Sequence, residues 1–280
     1  MRERTPAQRT LLIAAISFFV VFASAPFLCM LVTSFKQDID LYRKANNPFI
    51  YNVPPTTHHV NFLFENTPYL TFIRNSVLVG TAVVLITLLL AVPAAYALAR
   101  LTGRWGERAG ILIFLVYLIP PTLLYIPMNR IITTLGMRND VWSLVLTYPT
   151  ISVPFATWLL MGFFKSIPRE LEEAALVDGY NRISAFIRVV MPLSLPGMIA
   201  VTVFTFTLTL HEFMYALAFI SSSGQRPISV GVPIELVRGD VFFWQSLLAA
   251  SVIVAIPVGI VYNMFLNRLV QGFTMGAVKG

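Results

Sequence analysis

Long apolar runs, separated by short polar segments, dominate the chain. A helix that crosses a bilayer needs about 20 apolar residues, because each residue rises about 1.5 Å across roughly 30 Å of hydrocarbon. Six windows reach this length, with the approximate limits Leu11–Thr33, Val77–Ala99, Ile111–Ile131, Val141–Phe164, Met198–Ile220 and Phe243–Leu266. The pattern predicts six transmembrane spans.

The windows predict helices rather than barrel strands. Backbone groups in lipid have no water to bond, so a span must be a helix or a strand of a closed barrel. Barrel strands are about 10 residues long and alternate in polarity, whereas these windows are longer and apolar throughout. We therefore expect an all-α membrane protein that is a bundle of helices.

The first window has two interpretations. Basic residues precede it, and Ala23-Ser24-Ala25 resembles the cleavage site of a signal peptide. The apolar run nevertheless continues to Val32, which is longer than a signal core, and five further windows follow. We favour an uncleaved first span and keep the signal peptide as the alternative.

The basic residues predict the orientation, since cytoplasmic loops carry an excess of Lys and Arg. With the N-terminus inside, the inner segments hold Arg2, Arg4, Arg9, Arg100, Arg104, Arg108, Lys165, Arg169, Arg182, Arg188, Arg268 and Lys279. The short outer loops hold only Arg130, Arg138, Arg226 and Arg238. Both termini are therefore expected to be cytoplasmic, in a multi-pass protein of the plasma or inner membrane.

Composition agrees with a chain surrounded by lipid. Hydrophobic residues make up 57% of the chain and charged residues 12%, against about 25% charged residues in soluble domains. The formal net charge is +7, but nucleic-acid binding needs a basic patch or stripe. Lys and Arg are instead spread between the apolar runs, so we expect a lipid bilayer and no nucleic acid as partner.

The sequence offers little chemistry of its own. No stretch reads G-x-x-x-x-G-K-[ST], the loop that cradles phosphates, so any ATP must be bound by a partner. His58 and His59 are adjacent and lack a Cys or acidic cluster beside them, which disfavours a metal site. No nucleophile–base–acid set is evident. We expect neither catalytic residues nor a metal.

The polar segment 165–196, between the fourth and fifth windows, carries the most specific pattern. Pro168 followed by acidic residues is typical of a helix start, and Gly179 can end that helix in the left-handed conformation. A second short helix is predicted to run to Pro192. The pattern alone leaves open an interfacial amphipathic hairpin or a docking site.

The spacing within this segment matches a known motif. Glu173-Ala174-Ala175 is followed after three residues by Gly179, and after nine more by Val189-Val190-Met191-Pro192. This resembles the EAA loop of ABC importer permeases, written EAA, three residues, G, nine residues, I-x-L-P. Val189 and Met191 depart from that pattern, and both are apolar.

The resemblance implies a coupling helix seated in a cleft of a separate ATPase subunit. The residues that it assigns to this coupling are Glu173, Ala174, Ala175, Gly179, Phe186 and Pro192. Small residues allow close backbone approach, and Phe186 offers an apolar anchor of the kind that interfaces favour.

The likeness extends over essentially all 280 residues, as one permease domain. Asn75-Ser76, the stretch from Ala94 to Arg100 and the tail from Gly276 to Gly280 are similar to the sugar-permease branch related to the maltose transporter's smaller permease. That branch implies a second related permease, two ATP-binding subunits holding ATP and Mg, and an extracytoplasmic solute-binding protein. It also implies a tail that reaches toward the ATPases.

His211 and Glu212 form the ionisable pair deep inside a predicted span. Such groups are costly in lipid and usually face a cavity or a partner. We assign His211, Glu212 and Tyr215 to the substrate pathway, with Tyr215 one turn beyond His211 and able to share its face. The alternative is a neutral or helix-bonded Glu212. Similar permeases often read Trp-Asn-Glu/Asp here, whereas this chain reads Leu210-His211-Glu212.

These patterns predict a permease that moves a sugar or sugar derivative into the cytoplasm by alternating access. The alternatives are an importer of the same class for a non-sugar solute and an ion-coupled secondary transporter. The latter would be expected to show inverted repeats and broken helices at the midplane, and the sequence gives no sign of either.

Overall fold

Apolar helices make up most of the computed structural model, which describes residues 6–277 and their side chains as far as Leu266. The helices are α1 (Pro6–Ser34), α2 (Asp38–Tyr42), α3 (His58–Glu65), α4 (Tyr69–Tyr96), α5 (Gly103–Tyr117), α6 (Pro121–Thr134), α7 (Trp142–Thr147), α8 (Pro149–Ser166), α9 (Arg169–Val177), α10 (Arg182–Ala185), α11 (Met191–Leu193), α12 (Leu195–His211), α13 (Met214–Phe219), α14 (Ile228–Leu236) and α15 (Trp244–Ala277). Two π-helical turns, Ala97–Leu101 and Phe186–Val190, follow α4 and α10. A 3-10 turn spans Ser223–Gln225, and β1 (Val237–Arg238) pairs antiparallel with β2 (Val241–Phe242).

Within residues 6–277, four continuous helical segments are long and apolar enough to cross a membrane. They are Pro6–Ser34, Tyr69–Leu101, Trp142–Ser166 and Trp244–Leu266. These segments correspond to the first, second, fourth and sixth predicted windows. The first continues without a break through residues 23–25, where the sequence resembles a cleavage site.

The third predicted span is not one helix. The helices α5 and α6 meet at an angle of 84° across a short break, so the continuous helix predicted over Ile111–Ile131 is wrong. The cause is the pair Pro120-Pro121: Pro120 has extended backbone, and Pro121 begins the next helix. A residue before proline is driven out of the helical region, and proline fits best in a first turn.

The fifth predicted span is also interrupted. The segment Arg182–Leu193 and α12 meet at 70°, and α12 then ends at His211 because Glu212 has extended backbone. The chain resumes a helix only at Met214. The continuous helix predicted over Met198–Ile220 is therefore wrong, and the structure has up to six spans only if each bent pair is counted as one.

The described residues pack as two compact units. In the larger one, formed by 69–231 and the residues from 259 onward, α4, α8 and α12 pack together. Its core includes Ala91, Ala95, Leu160, Phe164 and Val201, all fully buried or nearly so.

The smaller unit combines residues up to 68 with 232–258. Buried Lys36 donates from Nζ to the carbonyl oxygens of Asn47 (3.1 Å) and Ile50 (2.6 Å) and pairs with Asp40 at 3.4 Å. Burial raises the pKa of Asp40, but hydrogen bonds from Asn52 and the charge of Lys36 outweigh it, and the pKa lies below its ordinary value. This network fixes the polar segment between α1 and α3.

Candidate functional site

The segment 165–196 folds as two short helical limbs joined at Gly179. Helix α9 closes with a Schellman motif, in which the Gly179 N–H donates to Leu176 (3.2 Å) and the Tyr180 N–H donates to Ala175 (3.0 Å). Gly179 has a φ of +90°, so the predicted break at this glycine is confirmed. The Asn181 side chain then accepts from the Ser184 N–H at 2.8 Å and begins α10.

The second limb runs slightly further than predicted. It passes from α10 through the π-helical turn into α11, which ends at Leu193 rather than at Pro192. Proline at position 192 is tolerated because it occupies the first turn of α11, where a missing N–H costs little.

The predicted coupling residues divide between two faces of this loop. Glu173, Ala174, Gly179 and Pro192 are exposed, whereas Ala175 is buried. Phe186 is half-buried and lies against Tyr96 within the chain, with the ring centroids 4.3 Å apart. The predicted outward anchor therefore has an inward contact, and its role in docking stays a prediction.

Two other apolar side chains of the loop are far more exposed than Phe186: Val177, which the sequence did not indicate, and Ile183, which the pattern places on one helical face with Phe186. Val177 is 88% exposed and Ile183 is 70% exposed. Val177 lies two residues before Gly179, and Ile183 begins the second limb. A large exposed apolar side chain beside small residues is a candidate for a protein contact.

A buried charged cluster fastens the loop to the end of α4, and the sequence analysis also missed it. The Glu172 carboxylate accepts a hydrogen bond from the Tyr96 hydroxyl, and its Oε2 lies 3.4 Å from Arg100 Nε. Arg100 Nη2 also donates to the carbonyl oxygen of Ile167 at 2.6 Å. The available signal was Tyr96 and Arg100 four residues apart at the end of a span, where they share one helical face.

Glu212 occupies the break between α12 and α13. Its carboxylate accepts from the Tyr148 hydroxyl (2.7 Å), from the Tyr215 N–H (2.9 Å) and from the Ala216 N–H (3.2 Å). A side chain that accepts from backbone donors at a helix start stabilises that start. Glu212 therefore begins α13, as the alternative of a bonded carboxyl implied, and its role in a substrate pathway stays a prediction.

The other two pathway candidates do not share a face. His211 is exposed at the end of α12, whereas Tyr215 is fully buried on α13 and donates from its hydroxyl to the Pro121 carbonyl at 2.9 Å. The expectation that they lie one turn apart on one helix is wrong, because the backbone leaves the helix at Glu212. The same bonds connect two places where helices break, at Pro121 and at Glu212, and Tyr148 binds the second of them from within the continuous segment Trp142–Ser166.

Asn75 and Ser76, which the sequence analysis related to the sugar permeases, bind the loop before α14. Asn75 Nδ2 donates to the carbonyl oxygens of Gly224 (3.0 Å) and Arg226 (3.1 Å), and Ser76 Oγ accepts from the Ile228 N–H at 2.8 Å. They fasten the loop before α14 to α4.

The tail residues Val278, Lys279 and Gly280 lie outside the described residues. Among residues 6–277, no group of three or more His, Cys, Asp or Glu could hold a metal ion.

Comparison with known proteins decides the family. The family described as binding-protein-dependent transport system inner membrane component matches residues 62–275. The chain belongs to this family. The permease is therefore an inner-membrane transport component rather than a catalytic subunit, and the family's description implies further subunits.

Two relatives and one solved structure match the permease over nearly its whole length. The sulfoquinovosyl glycerol transport system permease protein SmoH of Agrobacterium fabrum is 36% identical, over 95% of this chain and 92% of the relative. The trehalose/maltose transport system permease protein MalG of Thermococcus litoralis is 30% identical over the full length of both chains. A crystal structure of a bacterial ABC transporter involved in import of the acidic polysaccharide alginate matches with a TM-score of 0.81 and 19% identity, over 96% of this chain and 100% of that chain. The last match supports the fold.

The helix break at Glu212 bears on the choice between an ATP-driven importer and an ion-coupled secondary transporter. The sequence shows no sign of the broken helices expected of an ion-coupled secondary transporter, whereas the structure has a break at Glu212. A break alone does not separate the two classes of transporter.

Proposed function

We propose that this permease imports a sugar or sugar derivative by alternating access. The relatives above are named for sulfoquinovosyl glycerol and for trehalose and maltose, and they match over nearly the whole chain. Likeness over the full length includes the helices that would line a substrate path. The substrate class is therefore carried over from these relatives as a proposal.

The partners follow from what the chain lacks and from the EAA loop. The sequence has no phosphate-cradling loop, and the resemblance of the segment 165–196 to the EAA loop supports two separate subunits that bind ATP and Mg. A second related permease completes the transmembrane pathway within the lipid bilayer. An extracytoplasmic solute-binding protein delivers the sugar, in keeping with the description of the family.

The loop 165–196 is the observation that carries the proposal. It exposes Glu173, Ala174 and Gly179 together with the apolar side chain of Val177, while its other face is fastened to the bundle. A docking element needs both an accessible face and a firm attachment, because a loose loop would not transmit motion. With both termini and this loop in the cytoplasm, closure of the ATPase pair would move the loop and open the bundle outward.

A non-sugar solute of the same importer class remains the second candidate. The observation that favours it is Leu210-His211, which stands where similar sugar permeases often carry Trp-Asn. An exposed imidazole before Glu212 offers different hydrogen-bonding groups from an indole and an amide.

Uptake by cells with and without the permease tests the proposal. We expect deletion to abolish uptake of one carbohydrate in a radiolabelled panel, and re-expression to restore it. In proteoliposomes that hold the assembled importer, uptake should require enclosed ATP and should persist with an ionophore. Unchanged uptake of every carbohydrate by the deletion strain, with loss of another solute, would favour the second candidate. Uptake into proteoliposomes that needs no ATP and that an ionophore abolishes would contradict an ATP-driven importer.

A further inference from the structure

The loop 165–196, hereafter the coupling loop, has charged groups on its buried face. Docking to an ATPase does not explain why these groups are buried. Glu172 and Glu173 are neighbours on α9, yet Glu173 is exposed and the side chain of Glu172 is only 10% exposed. A carboxylate is costly to bury unless it is paired and hydrogen-bonded. Its partners therefore indicate what the burial achieves.

Arg100 contacts both ends of the short connection between α8 and α9. Its Nη2 donates to the carbonyl oxygen of Ile167, the C-cap residue that follows α8, at 2.6 Å. Its Nε lies 3.4 Å from Glu172, which is in the first turn of α9. One hydrogen bond to Ile167 and one ion pair with Glu172 therefore tie the start of α9 to the end of α8 through a single guanidinium.

Tyr96 connects the second limb of the loop to the same point. Its hydroxyl donates to Glu172, and its ring lies 4.3 Å from the ring of Phe186 and 5.9 Å from that of Phe164. Both limbs of the loop therefore meet at the cytoplasmic end of α4, on residues one helical turn apart.

The backbone at this meeting point is unusual on both sides. Arg100 lies in the π-helical turn Ala97–Leu101, and Phe186 begins the π-helical turn Phe186–Val190. Such turns are rare, and they occur frequently at functional sites. Here each turn presents one of the side chains that hold the loop.

We propose that Tyr96, Arg100 and Glu172 form a transmission joint, a set of positioning residues that makes the coupling loop and the end of α4 move as one body. The inference rests on the proposed function and deepens it. Docking depends on the exposed face of the loop, whereas transfer of the motion depends on this buried joint. Loss of the joint should leave the ATPase bound and active but uncoupled from transport.

The test uses the assembled importer in proteoliposomes and measures solute uptake and ATP hydrolysis together. We expect Glu172→Gln to retain the ATPase and to lower the uptake per ATP hydrolysed by at least about fivefold, the lower end of the range found for coupling between sites. The matched control is Glu107→Gln, which removes an exposed ion pair with Lys165 (3.3 Å) and should leave this ratio unchanged. A merely structural role would lower the amount of complex without changing the ratio.

Each other outcome is decisive. An assembled Glu172→Gln complex with the parent's ratio would overturn the joint. If Glu172→Gln does not assemble, Tyr96→Phe takes its place, because that substitution removes one hydroxyl and keeps the ring contacts. An unchanged ratio of uptake to ATP hydrolysis in Tyr96→Phe would equally overturn the joint. Val177→Asp should instead lose the ATPase, which separates docking from transmission. A parent complex without ATP-dependent uptake would refute the proposed function and the joint with it.

Discussion

Substitution of Gly179 separates backbone strain from contact with a partner. Its φ of +90° is a conformation that side-chain-bearing residues rarely adopt, and a Cβ placed there meets no atom of this chain within 4 Å. Gly179→Ala and Gly179→Leu should therefore carry the same strain, about 1–2 kcal/mol. That strain lowers the population of the docking conformation by roughly fivefold to thirtyfold.

The difference between the two variants reports what lies beyond the Cβ. A Cβ at 179 lies in open space, so we expect a larger loss in Gly179→Leu than in Gly179→Ala to report the wall of an ATPase cleft. We expect normal membrane levels of both variants, weakened ATPase co-purification with alanine, and loss of co-purification and uptake with leucine.

The matched control is Gly136→Leu. Gly136 also has a positive φ (+68°), and a Cβ added to it would lie in open space, but it follows α6 on the side predicted to be extracytoplasmic. It should retain the ATPase, although it carries comparable strain. Co-purification and uptake at the parent's level in Gly179→Leu would refute the docking role of the loop. Equal losses in Gly179→Leu and Gly136→Leu would assign the effect to strain alone.

Three further predictions follow from other parts of the chain. Glu212→Gln keeps an acceptor for α13 but loses the charge, so we expect assembly with reduced uptake; unchanged uptake would remove the charge from the pathway, and failed assembly would make the residue structural. In a background without Cys29, a membrane-impermeant thiol reagent should label Ser223→Cys from outside and miss Ser184→Cys, and the reverse would overturn the orientation. Burial lowers the pKa of His59 despite an opposing carboxylate, so the neutral form is favoured on folding. The neutral imidazole therefore contributes its full share of folding stability above the unfolded-state pKa of about 6.5, and this contribution is lost as the pH falls below that value. Proteolysis of the permease in vesicles should increase on acidification in the parent but not in His59→Gln, and equal increases in both would refute this role.

The sequence predicted the features that depend on local chemistry. Apolar length identified the continuous spans, because a run such as Tyr69–Leu101 has no proline pair and no charge in its middle. The left-handed residue at Gly179 was also predictable, since few other residues adopt that conformation without strain. Both predictions rest on one stretch of chain and need no knowledge of neighbours.

The breaks were harder to predict because apolar windows hide them. Hydropathy treats Leu118–Pro121 and Leu210–Phe213 as parts of continuous apolar runs. Pro120-Pro121 was a local signal that could have ended the third span. At Glu212 the signal was the acid itself: a carboxylate in a span can accept bonds that start a new helix, as it does here from Tyr148 and from the backbone of α13, and its role in the substrate pathway stays a prediction.

The joint could not be predicted from its own segment, because the choice between two adjacent glutamates depends on residues far away in the chain. Successive residues of a helix point about 100° apart, so Glu172 and Glu173 cannot both face the bundle. The motif directs attention to Glu173, whereas Arg100 and Tyr96, more than 70 residues earlier, draw Glu172 inward. Their four-residue spacing places them on one face, but only the packing of α4 against α8 brings that face to α9. A spacing motif thus indicates the face that we propose for docking, whereas the opposite face, which we propose to transmit the motion, becomes visible only in the fold.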